Sequence, residues 1–213
     1  MVRYSKGYLE AIATGLSVFG PSDLPELKQT VPSIQSILKL GMLEGLFIKL
    51  KPLPSSAMRQ LARRSYSAQQ AYSDLRQTLE KYFENFCSES TKFGIYFRAL
   101  DHAEALVLHL HIAHDSLKSI PNLMPITDDD KFFPRINDLA NEIKHLGGRR
   151  KAICANPSAN LPMYFLDKGI TNGKSYLSFS EICENLNFLS VATNELIDHF
   201  SEMNPLHKVL HFN

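Results

Sequence analysis

The chain contains 213 residues, 44% of them hydrophobic and 21% charged, and its formal net charge is +1 at pH 7. These values are typical of a globular protein with a hydrophobic core, and they exclude a mainly disordered chain. They also exclude a uniformly basic surface for polyanions, although a local basic patch is compatible with them.

Cysteine content and hydropathy bear on the compartment in which the protein works. Cys87, Cys154 and Cys183 are odd in number and show no CxxC spacing, which is typical of reduced, buried thiols. The apolar stretch Ile34–Leu50 is interrupted by charged residues, so it does not have the composition of a membrane span. We therefore expect a cytoplasmic protein with no membrane partner.

Helical periodicity dominates the chain. Apolar residues recur three or four positions apart over most of its length, and prolines or glycines separate the periodic stretches. The last of these stretches opens at Ser178-x-x-Glu181, a capping box, and ends before Pro205. The earlier predicted helices cover Ser5–Phe19, Ser33–Lys51, Ser55–Cys87 with a polar middle that could bend, Tyr96–Ile120 and Phe133–Leu146.

Two short strands are predicted before the last helix. Pro162–Leu166 and Ser175–Phe179 flank a polar segment that contains Asn172-Gly173, a dipeptide typical of β-hairpin turns. The predicted fold is thus mainly α, an up-and-down helical bundle with one short β-hairpin before the last long helix. We expect residues 1–92 to form an N-terminal helical segment packed on a bundle of residues 93–213.

One helix carries an unusual row of polar side chains. Asn137, Asn141 and His145, here called the polar row, are spaced by four and share one helix face, with Lys144 beside them. Asparagine is a poor helix former, so its repetition inside a helix favours a functional role. Histidine can transfer protons near neutral pH, and asparagine can orient a hydroxyl or a phosphate oxygen. The row is therefore the candidate site.

A basic cluster follows the polar row. Gly147-Gly148 precedes Arg149, Arg150 and Lys151, whose side chains could hold anionic oxygens together with Asn137. The sequence thus predicts contact with RNA or a nucleotide. The alternative is purely structural, because cations at a helix C-terminus interact favourably with the helix dipole without any ligand.

Asn141-x-x-Lys144-His145 on the penultimate long helix resembles the signature of HEPN-domain proteins, in which an arginine, often followed by asparagine, precedes a histidine by several positions. The resemblance covers roughly residues 93–200. His145 matches the family histidine and Asn141 the polar residue after the arginine. The arginine itself is absent, because Ala140 stands where it is expected.

The resemblance implies a homodimeric RNA-binding protein or metal-independent endoribonuclease of the kind found in toxin–antitoxin and phage-defence systems. His145 would handle a proton, Asn141 would orient the RNA, and Lys144 with Arg149 would stabilise negative charge, with no cofactor and no metal. The alternative is a non-catalytic helical module that binds a protein partner or a nucleotide, and the alanine at position 140 favours it.

Two further clusters have less specific patterns. The helix over Tyr96–Ile120 carries His102, Glu104, His109, His111 and His114, but it lacks HExxH, and its histidines point in different directions. We expect them at the edge of the core, with Asp101 and Asp115 as partners, and the resemblance suggests His102 or Glu104 as neighbours of the polar-row helix.

The second cluster consists of Arg59, Arg63 and Arg64, followed by Tyr66 and Tyr72. These side chains could bind single-stranded nucleic acid, although a solvated helix face is favoured.

Overall fold

The computed structural model describes residues 23–28, 55–84, 89–120, 131–145, 163–166 and 168–202. These ranges contain four helices and one three-stranded sheet: α1 (Ser55–Glu84), α2 (Glu89–Lys118), α3 (Phe132–His145), β1 (Tyr164–Leu166), β2 (Gly169–Thr171), β3 (Tyr176–Ser178) and α4 (Phe179–Glu202). The mainly α fold is confirmed. The helices predicted over Ser5–Phe19 and Ser33–Lys51 lie outside the described residues.

Helices α1 and α2 form the long pair at the centre of the fold. Only residues 85–88 connect them, so they run in opposite directions as they pack along each other. On α2, the apolar residues that recur every three or four positions are buried, as predicted. The alanines among them let α1 approach closely. The predicted residues Leu100, Ala103, Val107, Leu110, Ala113 and Leu117 are all buried.

The first turns of α2 were missed by the sequence prediction, which began this helix at Tyr96 and not at Glu89. The reason is that Glu89-Ser90-Thr91-Lys92 contains no apolar residue. An amphipathic pattern therefore becomes detectable only further along the chain. The predicted division of the chain after residue 92 stays a prediction, and that position lies within α2.

The polar middle of α1 is part of one continuous helix. Its buried polar residues face α4, where Gln69 Nε2 donates to Ser190 Oγ at 2.5 Å and Thr193 Oγ1 lies 3.4 Å from Ser65 Oγ. Buried polar groups are stable when they are hydrogen-bonded. This stretch is therefore polar because α1 and α4 are joined by side-chain hydrogen bonds within their apolar interface.

Residues 23–28 pack on the outside of α1 and α4. Leu24 is buried in the core, and the carbonyl oxygen of Pro25 accepts a hydrogen bond of 2.8 Å from the Tyr72 hydroxyl of α1. The backbone N–H of Lys28 donates to Asn187 Oδ1 of α4 at 3.1 Å. A segment early in the chain thus shares a core with the last helix.

The predicted hairpin is a three-stranded antiparallel meander. β2 lies inside the segment that was predicted to be a turn, and it pairs with both β1 and β3. Ile170 on β2 pairs with Phe165 and Leu177, and all three side chains are buried. The strand was missed because it has three residues, begins with glycine and contains a single large apolar side chain.

The second turn of the meander has the predicted chemistry. Gly173 adopts a φ of 86°, a conformation that glycine reaches without strain. Asn172 Oδ1 accepts hydrogen bonds from the backbone N–H groups of Lys174 and Ser175 at 3.0 and 2.9 Å. The Asn-Gly pair therefore directs the turn between β2 and β3.

The capping box of α4 is confirmed. Glu181 N donates to Ser178 Oγ at 3.2 Å, and Ser178 N donates to Glu181 Oε2 at 2.9 Å. These reciprocal bonds satisfy two backbone donors at the start of the helix. The strand β3 therefore passes directly into α4 at a fixed angle.

Candidate nucleic-acid interface

Helix α3 carries the polar row, and its ends agree with the prediction within one residue. It buries Phe132, Ile136, Leu139 and Ala140 against the bundle. Ala140 is fully buried, so the position at which the family arginine is expected faces the core in this chain. An arginine could not occupy it without disturbing the packing between α3 and its neighbours.

One flank of α3 is anchored to the sheet and to α4. The Arg135 guanidinium donates from Nη2 to Glu181 Oε1 at 2.7 Å and from Nη1 to the Tyr176 carbonyl at 2.8 Å. Its Nε donates to the Lys131 carbonyl at 2.9 Å. On the same flank, Ser175 Oγ donates to Asp138 Oδ2 at 3.0 Å. Arg135 therefore has a structural role and is not available to the polar row.

The ion pair with Arg135 also sets the charge state of Glu181. Burial alone would raise the pKa of this carboxyl group, but the hydrogen bonds from Arg135 and from Ser178 outweigh that effect and lower it. Glu181 is thus a carboxylate at neutral pH. It links the start of α4 to α3 and holds the anchored flank in place.

The polar row reaches solvent, with His145 one heptad after Asp138 and therefore on nearly the same side of α3. Asn137 and Asn141 are half-buried, whereas Lys144 and His145 are exposed at the C-terminal end of α3. The structure thus brings four of the predicted site residues together along one side of a single helix. Gly147-Gly148 and the basic residues Arg149, Arg150 and Lys151 lie outside the described residues.

Helix α2 places a histidine, His111, against α3, and this residue was not among those predicted for the site. His111 Nε2 lies 3.4 Å from Asp115 Oδ2, and its ring stacks on Phe133 with centroids 6.1 Å apart. His111 Nδ1 is buried and has no hydrogen-bond partner among the described residues. The imidazole is therefore held mainly by packing against α3.

The pKa of His111 is lowered. Burial is the largest cause; Asp115 opposes it, and the positive charges of Lys144 and Lys118 add to it. Lys144 is thus close enough to influence His111 electrostatically. Lys118 Nζ also lies 3.2 Å from the centroid of the Phe133 ring, a cation–π contact. Positive charge therefore gathers where α2 meets the polar-row side of α3.

The contact between α2 and the start of α3 differs from the one expected. The resemblance suggested His102 or Glu104 as neighbours of this helix, whereas His111 and His114 pack on Phe132 and Phe133. The relevant signal was the adjacent pair of phenylalanines at the start of α3. Glu104 has a raised pKa because it is partly buried and lies near Asp101.

Helix α2 offers no metal site in the part of the chain that the structure describes, where no group of three or more potential ligands converges. His109 contacts Arg64 of α1, with 3.0 Å between Arg64 Nη1 and His109 Nδ1, and His111 contacts Asp115 on another side of the helix. The α2 histidines are therefore divided between two interfaces.

The predicted interleaving of arginine with tyrosine on α1 is wrong for Tyr72. Its side chain is fully buried and donates to Pro25, and burial raises its pKa. It cannot stack on a base. Arg59 and Arg63 are exposed, as expected for a solvated face, but Arg64 is half-buried against α2.

Comparisons with known proteins add no relative: no family model matches the chain, and no curated protein or solved structure is significantly similar to it. Within the described ranges, none of the helices combines the length and apolar character needed to cross a bilayer. The HEPN resemblance, the homodimer and the cytoplasmic location stay predictions.

Proposed function

We propose that this chain is an RNA-binding protein and that the polar row with Lys144 contacts the phosphate backbone of single-stranded RNA. The observation that supports the proposal best is the difference between two sets of polar residues on α3. Arg135 and Asp138 are occupied by hydrogen bonds to other elements, whereas the row of amides and imidazole reaches solvent. Asparagines in the interior of a helix weaken it, and a ligand gives them a purpose.

The cations at the end of α3 supply the affinity in this proposal. A helix C-terminus carries a partial negative charge and by itself repels phosphate. Lys144 must therefore provide the attraction, together with the cluster Arg149–Lys151 that follows it in sequence. Asn137 and Asn141 would add hydrogen bonds from their amide N–H groups to phosphate oxygens. Such contacts fix the position of RNA without reading its bases.

Binding without cleavage is the favoured form of this proposal, because Ala140 is fully buried where the family arginine is expected. Cleavage would require transesterification, in which the 2′-oxygen attacks the adjacent phosphorus and the 5′-oxygen leaves. His145 would accept the proton of the 2′-hydroxyl, and a second acid would protonate the leaving oxygen. A second His145 in a homodimer is the candidate for that acid.

The test combines binding and cleavage on the full chain. Fluorescence anisotropy of a labelled single-stranded RNA should show binding that weakens several-fold in Lys144→Gln and in His145→Ala. Lys174→Gln removes the same charge near the anchored flank of α3 and should bind as the unmodified protein does. Failure of the unmodified chain to bind RNA contradicts the proposal.

Cleavage is measured on the same RNA in the presence of a metal chelator. We expect intact RNA with the unmodified chain. Products ending in a 2′,3′-cyclic phosphate, lost in His145→Ala while its melting temperature is unchanged, would instead establish the metal-independent endoribonuclease.

A further inference from the structure

A second concentration of positive charge lies where α1 packs against α2, on the other side of α2 from His111. His109 and His111 are two residues apart, so their side chains differ by about 200° around the helix. Arg64 of α1 is half-buried at this seam, and its Nη1 lies 3.0 Å from His109 Nδ1. Because a guanidinium only donates hydrogen bonds, His109 Nδ1 must accept, and the imidazole proton must lie on Nε2. His109 is thus a neutral partner whose Nε2–H remains as a donor.

The charge of Arg64 has no counter-ion in the described part of the chain. None of the ion pairs there involves Arg63 or Arg64. Arg64 Nε is buried and has no hydrogen-bond partner among the described residues. A neutral imidazole fixes the guanidinium in place but cannot cancel its charge, and a partly buried cation without an anion is unfavourable.

The electrostatics around His109 point in the same direction. Burial lowers the pKa of His109, and the positive charges of Arg64 and Arg63 lower it further. Among the residues that the structure describes, no carboxylate contributes to the shift. The seam therefore has hydrogen-bond donors and positive charge. Among the described side chains, no anionic group accepts these hydrogen bonds and offsets the charge.

We propose that Arg64, Arg63 and His109 form a second binding site, here called the seam site, for a phosphate group. Arg64 presents its remaining N–H donors to two phosphate oxygens, and a planar guanidinium fits that arrangement better than an ammonium does. His109 Nε2–H provides a donor beside it, and the exposed Arg63 adds charge from the adjacent position on α1. The site is independent of the polar row, since it uses neither α3 nor its cations.

The phosphate can come from a terminal phosphate, as in a mononucleotide, or from the phosphodiester backbone of RNA. Both present the same oxygens to the guanidinium. Three probes separate them: inorganic phosphate, adenosine monophosphate, and a single-stranded RNA without terminal phosphates. If inorganic phosphate and adenosine monophosphate bind more tightly than RNA, and their binding depends on Arg64, the site takes terminal phosphates. If RNA binds more tightly and its binding depends on Arg64, the site takes the phosphodiester backbone.

The test is isothermal titration calorimetry of the full chain with inorganic phosphate at constant ionic strength. We expect binding that weakens roughly tenfold in Arg64→Gln, the loss of about one charge-assisted hydrogen bond. Arg59→Gln is the matched control, because it removes an equal charge from an exposed position on the same helix. Absence of phosphate binding by the unmodified chain, or equal weakening by the two variants, overturns the seam site.

A measurement on the unmodified chain avoids dependence on the folding of Arg64→Gln. Histidine imidazole signals in NMR spectra are followed as phosphate replaces chloride. The seam site predicts that the His109 signal moves with a saturable dependence on phosphate. Movement of His145 with no change at His109 would support the proposed function and overturn the seam site.

Discussion

Arg135 offers the sharpest test of how α3 is held in the fold. Its guanidinium joins three carbonyl or carboxylate oxygens, on Lys131, Tyr176 and Glu181, at 2.9, 2.8 and 2.7 Å. Arg135→Met removes these bonds and keeps most of the apolar stem of the side chain. The change therefore measures what the polar contacts contribute to stability.

The expected loss follows from the exposure of the pair. The side chains of Arg135 and Glu181 are 29% and 36% accessible, so solvent screens their attraction in part. A charge-assisted hydrogen bond contributes about 1.5–3 kcal/mol when buried, and an exposed ion pair contributes up to about 1 kcal/mol. We therefore expect about 2 kcal/mol of destabilisation, or a melting temperature lower by about 4–8 °C for a chain of this length.

The assay is thermal and urea unfolding followed by circular dichroism. Arg98→Met serves as the matched control, because Arg98 is exposed on α2 and should change stability little. If Arg135→Met unfolds at the same temperature as this control, the anchored flank is not a source of stability.

The pH dependence of the same variant gives an independent check. The pKa of Glu181 is lowered in the folded protein, so its contribution to stability is complete above the unfolded pKa and is lost as pH falls through the folded value. The difference between Arg135→Met and the unmodified chain should therefore be greatest near neutral pH and shrink below about pH 4. A constant difference would contradict the assignment of Glu181 as the charged partner.

The other predictions concern two glycines in different elements and one buried histidine. A Cβ on Gly169 would collide with the carbonyl oxygen of Leu177 and lie 2.9 Å from Ser178 Cα, so Gly169→Ala should destabilise the protein by more than about 2 kcal/mol. Gly94→Ala, in a helix with open space around it, should instead stabilise by about 0.5–1 kcal/mol in the same denaturant titration, and equal effects would contradict this account. The pKa of His111 is lowered in the folded protein, so as pH falls His111 is protonated in the unfolded chain before it is protonated in the folded one. The free energy of unfolding therefore declines below about pH 6.5. His111→Phe should lose less unfolding free energy between about pH 7.5 and 5.5 than the unmodified chain does, and an equal loss would show that His111 is not responsible.

The helices were predictable because each has an apolar stripe that must be buried. α3 and the capping box of α4 were located within a residue from such patterns and from local hydrogen-bonding chemistry. The first turns of α2 and the strand β2 were not, because a polar helix start and a three-residue strand leave no periodic signal. Local sequence determines these elements less than their neighbours in the fold do.

The candidate site was predictable only along one helix. Spacing of four placed Asn137, Asn141 and His145 on one face, which the structure brings out to solvent. The contacts that surround this helix join distant parts of the chain. Arg135 reaches a carboxylate 46 residues away, and Arg64 reaches an imidazole 45 residues away. A single sequence contains no signal for such pairs.

The most direct test of the proposed function is the salt dependence of RNA affinity. For a single strand, each phosphate contact by a cation adds about 0.7 to the magnitude of the slope of log affinity against log salt. The unmodified chain should bind single-stranded RNA, and Lys144→Gln should lower the magnitude of this slope by about 0.7, whereas Lys174→Gln should leave it unchanged. An identical slope for Lys144→Gln and the unmodified chain would contradict the assignment of α3 as the RNA-binding surface.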